Sequence, residues 1–305
     1  IVNTPLKLAL KAAAFAATLS LASNASALEC SAAFQIQQSF ANGAAWEMCF
    51  EEQQREGMVL RDINYTSPAG VKRRVLYQAN VAQIHVPYDD DGARYHDVSD
   101  FGLGGNRLND LTPADCPNGT LIQNGTKDVM CRTLQDAATL ATANEVRYGE
   151  VLSVFSVSHV GAYNYIPDWR FFDDGTIEPA MGATGRLQRY TSSEAFGWPV
   201  RTGSSPVGVS HLHNYYWRLD FDLGGGDDDR FEELEFVDAP GGRRELRSTE
   251  FSNETERSVN PETQRFWRVY DGGTQNGSGR AISYDVIPLE TGHSDVGPTF
   301  EPFTF

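Results

Sequence analysis

Two histidines that are separated by one residue form the clearest potential metal site in this chain. His211 and His213 come directly before a segment rich in aromatic and polar residues, 214–222 (NYYWRLDFD). In a β-strand, residues i and i+2 project from the same face, so both imidazoles could reach one metal ion. Nitrogen ligands of this kind suit copper or zinc. The pair alone is weak evidence for a metal site. Two exposed histidines on one strand face without a metal are at least as common as a metal site with this spacing.

Aspartates at two places could supply carboxylate oxygens, either as metal ligands or as a general base. Asp220 and Asp222 repeat the i, i+2 spacing and could offer carboxylates to calcium, although an ordinary polar strand face would look the same. Asp97 and Asp100 lie beside a glycine-rich segment, 101–104 (FGLG). A carboxylate there could act as a general base, but aspartate is also a common turn residue.

An aromatic segment, 160–169 (VGAYNYIPDW), completes the set of candidates. Taken by itself, this composition predicts a strand or bend whose aromatic rings pack into a core. The segment by itself therefore does not indicate a chemical role; such a role can be inferred only when it is considered together with the other motifs.

Short β-rich segments, separated by glycine, asparagine and aspartate, must position these groups. Such segments occur at 58–65, 74–86, 150–159, 168–172, 215–223, 266–270 and 281–287. Only residues 133–145 (TLQDAATLATANE) have the periodicity of an amphipathic helix. The sequence therefore predicts an all-β fold, a large β-sandwich or barrel with little helix.

Residues 1–27 have the layout of a secretory signal peptide. They contain two lysines, an apolar run and an A-x-A cleavage site at residues 25–27. The run is too short to span a bilayer, and no later segment reaches about 20 apolar residues. We therefore expect a mature chain of residues 28–305 that is secreted or periplasmic and has no membrane span.

The four cysteines fit an exported protein. An even number in an oxidising compartment predicts two disulfides, and neighbours in sequence suggest Cys30–Cys49 and Cys116–Cys131.

The net charge of −16 restricts the choice of partners. It argues against a nucleic-acid partner, because phosphate contacts need a basic surface. It favours cationic small molecules near the surface, although acidity also simply keeps an exported protein soluble.

Six motifs in one order resemble the catalytic domain of copper amine oxidases. Residues 55–60 (REGMVL), 75–77 (VLY) and 86–88 (VPY) look like the start of that domain. Residues 97–104 (DVSDFGLG) are similar to the family's D-x-G-E-Y-G-x-G, and a pair of cysteines follows. Residues 159–169 resemble the cofactor motif T-x-G-N-Y-[DE]-Y-x-x-D-W. The order continues with 174–178 (DGTIE), 182–185 (GATG) and the H-x-H motif, so the resemblance covers nearly all of the mature chain.

The resemblance implies oxidation of a primary amine by O₂ to an aldehyde, with release of ammonia and hydrogen peroxide. Its organic cofactor is topaquinone, which copper and O₂ make from a tyrosine of the protein. That tyrosine lies five residues before the aspartate of D-W, and counting back from Asp168 selects Tyr163 rather than Tyr165. The base that takes the α-proton of the amine is implied to be Asp97. A homodimer is also implied.

The resemblance also implies two metals. His211 and His213 correspond to two of three copper ligands, and Asp220, the Phe221 carbonyl and Asp222 correspond to a peripheral calcium site. The family's third histidine lies in a C-terminal segment rich in His, Pro, Glu and Asp. His293 lacks these surroundings, so we expect the third ligand beyond Phe305 and regard the domain as C-terminally truncated.

Departures from the family pattern keep two alternatives open. Ala162 and Asn164 replace an asparagine and an acidic residue that help to position the quinone in the family, while Ser99 and Phe101 are smaller departures. One alternative is a copper- or calcium-binding β-sandwich that has lost activity. The other is a secreted sandwich that binds carbohydrate or protein and has no metal function. We expect His85, His96 and His159 on turns or between strands, without a role.

Overall fold

The computed structural model describes residues 28–90, 92–141, 143 and 145–288. The predicted signal peptide and His293 lie outside these residues.

The chain forms antiparallel strands, as the sequence predicts. The strands are β1 (Gln35–Ser39), β2 (Ala45–Gln53), β3 (Gly57–Thr66), β4 (Lys72–Pro87), β5 (Arg94–His96), β6 (Thr120–Asn124), β7 (Lys127–Ala141), β8 (Val146–Ser156), β9 (Ser158–Val160), β10 (Tyr163–Phe172), β11 (Ile177–Gly185), β12 (Tyr190–Thr191), β13 (Gly197–Pro199), β14 (Val207–Val209), β15 (Asn214–Phe221), β16 (Asp229–Ala239), β17 (Arg243–Glu250), β18 (Phe266–Gln275) and β19 (Ala281–Val286). The helical elements are the short α1 (Asp97–Asp100) and 3₁₀ turns at Ala32–Phe34, Gly105–Arg107, Glu194–Phe196 and Leu223–Gly225.

Two large sheets form the sandwich. The first has the order β1-β2-β3-β4-β15 with β5 on β4, and the second has the order β11-β10-β8-β7-β6 with β9 on β10. Two smaller sheets, β12-β14-β13 and β17-β16-β18-β19, complete the fold. The predicted all-β sandwich with little helix is confirmed.

The main core lies between the two large sheets. Trp46 of β2 packs on Phe171 of β10 with ring centroids 5.2 Å apart, and its indole N–H donates to the Phe172 carbonyl. Leu60 and Leu152 are also fully buried in this layer. Burial of such side chains stabilises the fold by about 1.5–3 kcal/mol each.

A second buried cluster closes one end of the sandwich and holds the aromatic residues of the site. It joins Ile84 and Val86 of β4, Val98 of α1 and Val209 of β14 to the first residues of β10. Residues of β10 alternate between buried and partly buried positions along its whole length. This period of two directs Tyr163 and Tyr165 to the same inner face.

The helix predicted at residues 133–145 is wrong. Residues up to Ala141 belong to β7, which pairs with β8 in the register Thr133↔Ser153 and Leu134↔Leu152. The disulfide at Cys131 and the long ladder with β8 fix an extended backbone, and Leu134 is 45% exposed rather than part of a buried helical face. Tertiary pairing therefore overrides a local helical pattern.

Both predicted disulfides are confirmed. Cys30 bonds to Cys49 of β2, and Cys116 bonds to Cys131 of β7. The second closes a loop with a sequence separation of 15 residues, which is worth about 3 kcal/mol in the chain-entropy model. In the described part of the chain, no helix has the length and apolar character of a membrane span.

Candidate active site

Tyr163 stands at the centre of the candidate site, because a tight hairpin places it there. Val160 pairs with Tyr163, so the loop between β9 and β10 consists only of Gly161 and Ala162. Gly161 has a φ of +60°, which suits such a two-residue turn. Gly185 pairs with Tyr163 from β11, where a Cβ would lie 2.4 Å from the Ala162 carbonyl oxygen. The glycine therefore permits this close approach of the two strands.

The phenol of Tyr163 contacts a histidine and a second tyrosine. Its hydroxyl lies 3.1 Å from Nε2 of His211 and 3.0 Å from the hydroxyl of Tyr88. The ring is buried with 9% exposure, and burial raises the pKa of its hydroxyl. Tyr163 is therefore a buried, neutral phenol that is hydrogen-bonded at its oxygen.

The two histidines come just before β15 rather than within it, yet their rings remain adjacent. His211 forms an isolated bridge with Tyr88, and the His211 and His213 ring centroids are 4.9 Å apart. Nδ1 of His211 lies 3.2 Å from the Val209 carbonyl, which can only accept a hydrogen bond. The proton therefore belongs on Nδ1, and the Nε2 lone pair faces the Tyr163 hydroxyl.

His213 offers a second unprotonated nitrogen. Burial, helped by the neighbouring His211, lowers the pKa of His213 to about 4. Its Nδ1 is buried and has no hydrogen-bond partner within the described residues, which is costly unless another group binds there. Two imidazoles beside a phenol are a donor set that suits Cu(II).

Among the residues that the structure describes, these two histidines are the only candidate copper ligands at the site. Within residues 28–288, apart from the few gaps given above, no group of three or more His, Cys, Asp and Glu side chains could hold a metal ion. The expectation that a third copper ligand lies past Phe305 stays a prediction.

Asp97 lies in a buried turn and contacts Tyr165, whose ring also packs near that of His213. It begins α1, whose first turn is anchored by a hydrogen bond from the Val98 N–H to the Gln83 side chain. The turn ends at Gly102, which has a φ of +78° and donates its N–H to the Asp97 carbonyl. A glycine in this left-handed conformation is a common helix C-terminus.

The carboxyl group of Asp97 has a raised pKa. Asp97 is only 4% exposed, and burial raises the pKa of its carboxyl to about 6, although a hydrogen bond from Tyr165 opposes the shift. That bond joins the Tyr165 hydroxyl to Oδ2 of Asp97 over 2.5 Å. A carboxylate with this pKa is ionised at neutral pH and remains a useful proton acceptor.

Asp97 and Tyr163 line the same space. A cavity of about 140 Å³, here named the inner cavity, has both residues in its wall together with Tyr95, Val160 and Gln188 among others. The structure thus brings together the four residues that the sequence placed in the reaction: the tyrosine, the carboxylate and the two histidines. A small molecule in the inner cavity would lie between the Asp97 carboxylate and the Tyr163 phenol.

Sequence reasoning missed two residues of the site. Tyr88 ends the VPY motif, and its ring stacks on His211 with centroids 4.6 Å apart while its hydroxyl meets Tyr163. The motif count offers Tyr165 only as an alternative to Tyr163, whereas in the structure its hydroxyl donates a hydrogen bond to the carboxylate of Asp97. The i, i+2 spacing of the two tyrosines was the available signal for a shared face, but nothing in the sequence identifies their partners.

Asn164, which stands where the family pattern has an acidic residue, hydrogen-bonds with side chains of the two neighbouring strands. Asn164 lies 2.9 Å from Nδ1 of His159 through its amide oxygen and donates to Thr184. His159 belongs to β9, and His85 and His96 belong to β4 and β5, where they pair and stack. The expectation that these histidines lie on turns or between strands is wrong, because each lies within a strand; the predicted β-rich segments 74–86 and 150–159 already contain His85 and His159.

The aspartates of the predicted calcium site are each paired with an arginine. Asp220 accepts from Arg218 at 3.0 Å, and Asp222 accepts from Arg74 at 2.8 Å. Phe221 lies between them in β15 and packs its ring against the core. Oδ1 of Asp222 is buried without a partner in the described chain. Calcium binding stays a prediction.

Solved structures of amine oxidases share this fold. A copper-containing benzylamine oxidase from Hansenula polymorpha aligns with a TM-score of 0.68 at 20% identity, over 83% of this chain and 44% of its own. The Aspergillus nidulans amine oxidase aligns with a TM-score of 0.63 at 21% identity, over 79% of this chain and 37% of its own. At these identities the likeness concerns the fold alone.

Sequence comparisons also match this chain to amine oxidases. The histamine oxidase of Arthrobacter globiformis is 26% identical over 84% of this chain, and the primary amine oxidase of Klebsiella aerogenes is 26% identical over 81% of it. The chain spans 42% and 38% of the length of these two relatives. The family model for the copper amine oxidase enzyme domain matches residues 35–296. This chain therefore belongs to the copper amine oxidase family and contains its enzyme domain.

Proposed function

We propose that this protein is a copper-dependent primary amine oxidase. The reaction is RCH₂NH₂ + O₂ + H₂O → RCHO + NH₃ + H₂O₂, in which the amine carbon is oxidised and O₂ is reduced. One observation carries the proposal: the Tyr163 hydroxyl is 3.1 Å from His211 Nε2 while Asp97 lines the same inner cavity. The names of the relatives, histamine oxidase and primary amine oxidase, support it.

His211 and His213 are the residues that would hold the copper. The Val209 carbonyl keeps the His211 proton on Nδ1, so Nε2 is available as a ligand. The low pKa of His213, about 4, keeps that ring unprotonated at neutral pH. When bound, copper together with O₂ supplies the oxidation that turns the Tyr163 phenol into topaquinone, the electrophile for the amine. Tyr88 holds the Tyr163 oxygen from the other side.

Asp97 is the proposed base for the α-proton of the amine. Tyr165 binds Oδ2, whereas Oδ1 accepts no hydrogen bond from the described residues and can receive the proton. Burial provides the raised pKa of Asp97, about 6, which keeps the carboxylate basic enough to act near neutral pH. The short hydrogen bond also fixes the direction of the carboxylate during the transfer.

The test is amine-dependent peroxide production by the protein and its Asp97→Asn variant, each loaded with copper in the presence of imidazole as an external nitrogen ligand. The variant should bind copper like the parent and lose turnover by about 10²- to 10⁴-fold, because a general base is removed. Asp100→Asn is the matched control, since Asp100 is an exposed carboxylate of the same turn. Full activity of Asp97→Asn would place the base elsewhere.

We further propose a secreted or periplasmic location and a homodimer. The two disulfides support export, since such bonds persist in oxidising compartments. The dimer rests on family resemblance and is checked by light scattering.

A further inference from the structure

A wider cleft lies against the inner cavity and shares part of its wall. This outer cleft has a volume of about 600 Å³ and is lined by Gln54, Phe101, Gly105, Asn106, Arg107 and His159. Phe101 and Arg107 line the inner cavity as well. An amine whose nitrogen lies near Tyr163 would therefore extend its other end past these two side chains.

Arg107 brings a positive charge to this boundary. Its guanidinium lies 5.8 Å from the centre of the Phe101 ring, a cation–π contact that holds the long side chain in place. In the part of the chain that the structure describes, Arg107 forms no salt bridge. Its charge acts on Asp97, where it slightly opposes the effect of burial on the carboxyl pKa.

The lining of the two spaces contains little negative charge to balance Arg107. Asp97 is the sole carboxylate among the residues of the described chain that line either space, and it lies on the inner one. The outer cleft instead offers the neutral amide groups of Gln54 and Asn106. The site is thus polarised, with a carboxylate at the inner end and a guanidinium towards the outer end.

We propose that Arg107 binds an acidic group at the far end of the substrate, so that the preferred substrates are primary amines that carry a carboxylate. This inference rests on the proposed amine oxidase function and adds the substrate class to it. A planar guanidinium binds a carboxylate through two parallel hydrogen bonds, which gives both affinity and orientation. The second ammonium of a diamine would meet the same charge with repulsion, and an alkyl monoamine would gain nothing from it.

The test measures binding to the full chain without added copper, so that it does not depend on turnover. The probes are γ-aminobutyrate, n-butylamine and putrescine, which share a four-carbon chain and differ in the terminal group. γ-Aminobutyrate should bind about tenfold more tightly than n-butylamine, equivalent to about 1.4 kcal/mol, and putrescine should bind most weakly. Arg107→Gln should remove this order, and Arg107→Lys should keep part of it because the charge remains. Arg230→Gln is the control, since it removes the same charge from the distant β16.

Several results would overturn the inference. They are equal affinities of the three probes for the parent protein, an unchanged order in Arg107→Gln, and no binding of any probe. Peroxide production from n-butylamine, with copper and imidazole added, is measured in parallel. If peroxide forms but the order does not depend on Arg107, the substrate class is wrong and the oxidase function stands. If the order depends on Arg107 but no amine yields peroxide, the binding site stands and the oxidase function fails.

Discussion

Replacing the buried Asp97 with asparagine should change how the stability of the fold depends on pH. Burial raises the carboxyl pKa of Asp97 from 3.8 to about 6. The folded protein therefore binds more protons than the unfolded chain between these values, and its unfolding free energy falls as pH rises through this window. A difference of about 2 pKa units corresponds to about 3 kcal/mol. Below a pH of about 3 the carboxyl is protonated in both states and this cost disappears.

The Asp97→Asn variant lacks the ionisation and should lack this loss. Its unfolding free energy relative to the parent should therefore rise by about 3 kcal/mol from about pH 3 to about pH 7. Urea unfolding of the oxidised, copper-free protein, followed by tryptophan fluorescence at four pH values, gives this difference. Asp100→Asn serves as the control: it removes a neighbouring charge that adds to the effect of burial on the Asp97 pKa, so it should keep most of the parent's dependence on pH. A difference between Asp97→Asn and the parent that stays constant with pH would refute the assignment of a raised pKa to Asp97.

Three further predictions concern the neighbours of this group and the fold. Tyr165→Phe removes a hydrogen bond that stabilises the ionised Asp97, so the acidic limb of kcat/KM for amine oxidation should move up by about one pH unit, measured as a pH–rate profile. Double replacement of His211 and His213 by alanine should abolish copper retention after dialysis, measured by atomic absorption, while either single variant keeps weak binding; equal retention in the double variant and the parent would remove both histidines from the site. Replacing Cys116 and its partner with serine should lower the unfolding free energy by about 3 kcal/mol in urea titrations, and a loss below about 1 kcal/mol would contradict the entropic estimate.

Much of the site followed from the order of motifs and the period of strands. Counting from Asp168 selected Tyr163, and the structure puts the Tyr163 hydroxyl beside His211. The alternation along β10 explains why Tyr163 and Tyr165 share the inner face. These features are local, because a fixed spacing on an extended backbone decides which way a side chain points.

Partners that come from distant segments could not be predicted. Tyr88 meets Tyr163 across 75 residues of sequence, and Tyr165 meets Asp97 across 68. The segment 133–145 gives a further example. Its local pattern predicts a helix, but pairing with the distant strand β8 makes its residues up to Ala141 extended. In each case the decisive contact is tertiary, and a single sequence does not encode it in its local periodicity.

The central claim is that copper held by His211 and His213 oxidises Tyr163. The most direct measurement incubates the purified chain with Cu(II) in air, with imidazole added as an external nitrogen ligand, and then treats it with phenylhydrazine. Peptide mass mapping locates the adduct. We predict an adduct on Tyr163 that is absent from Tyr163→Phe and from the double histidine variant. An adduct on Tyr165, or no adduct in any copper-loaded sample, would contradict it.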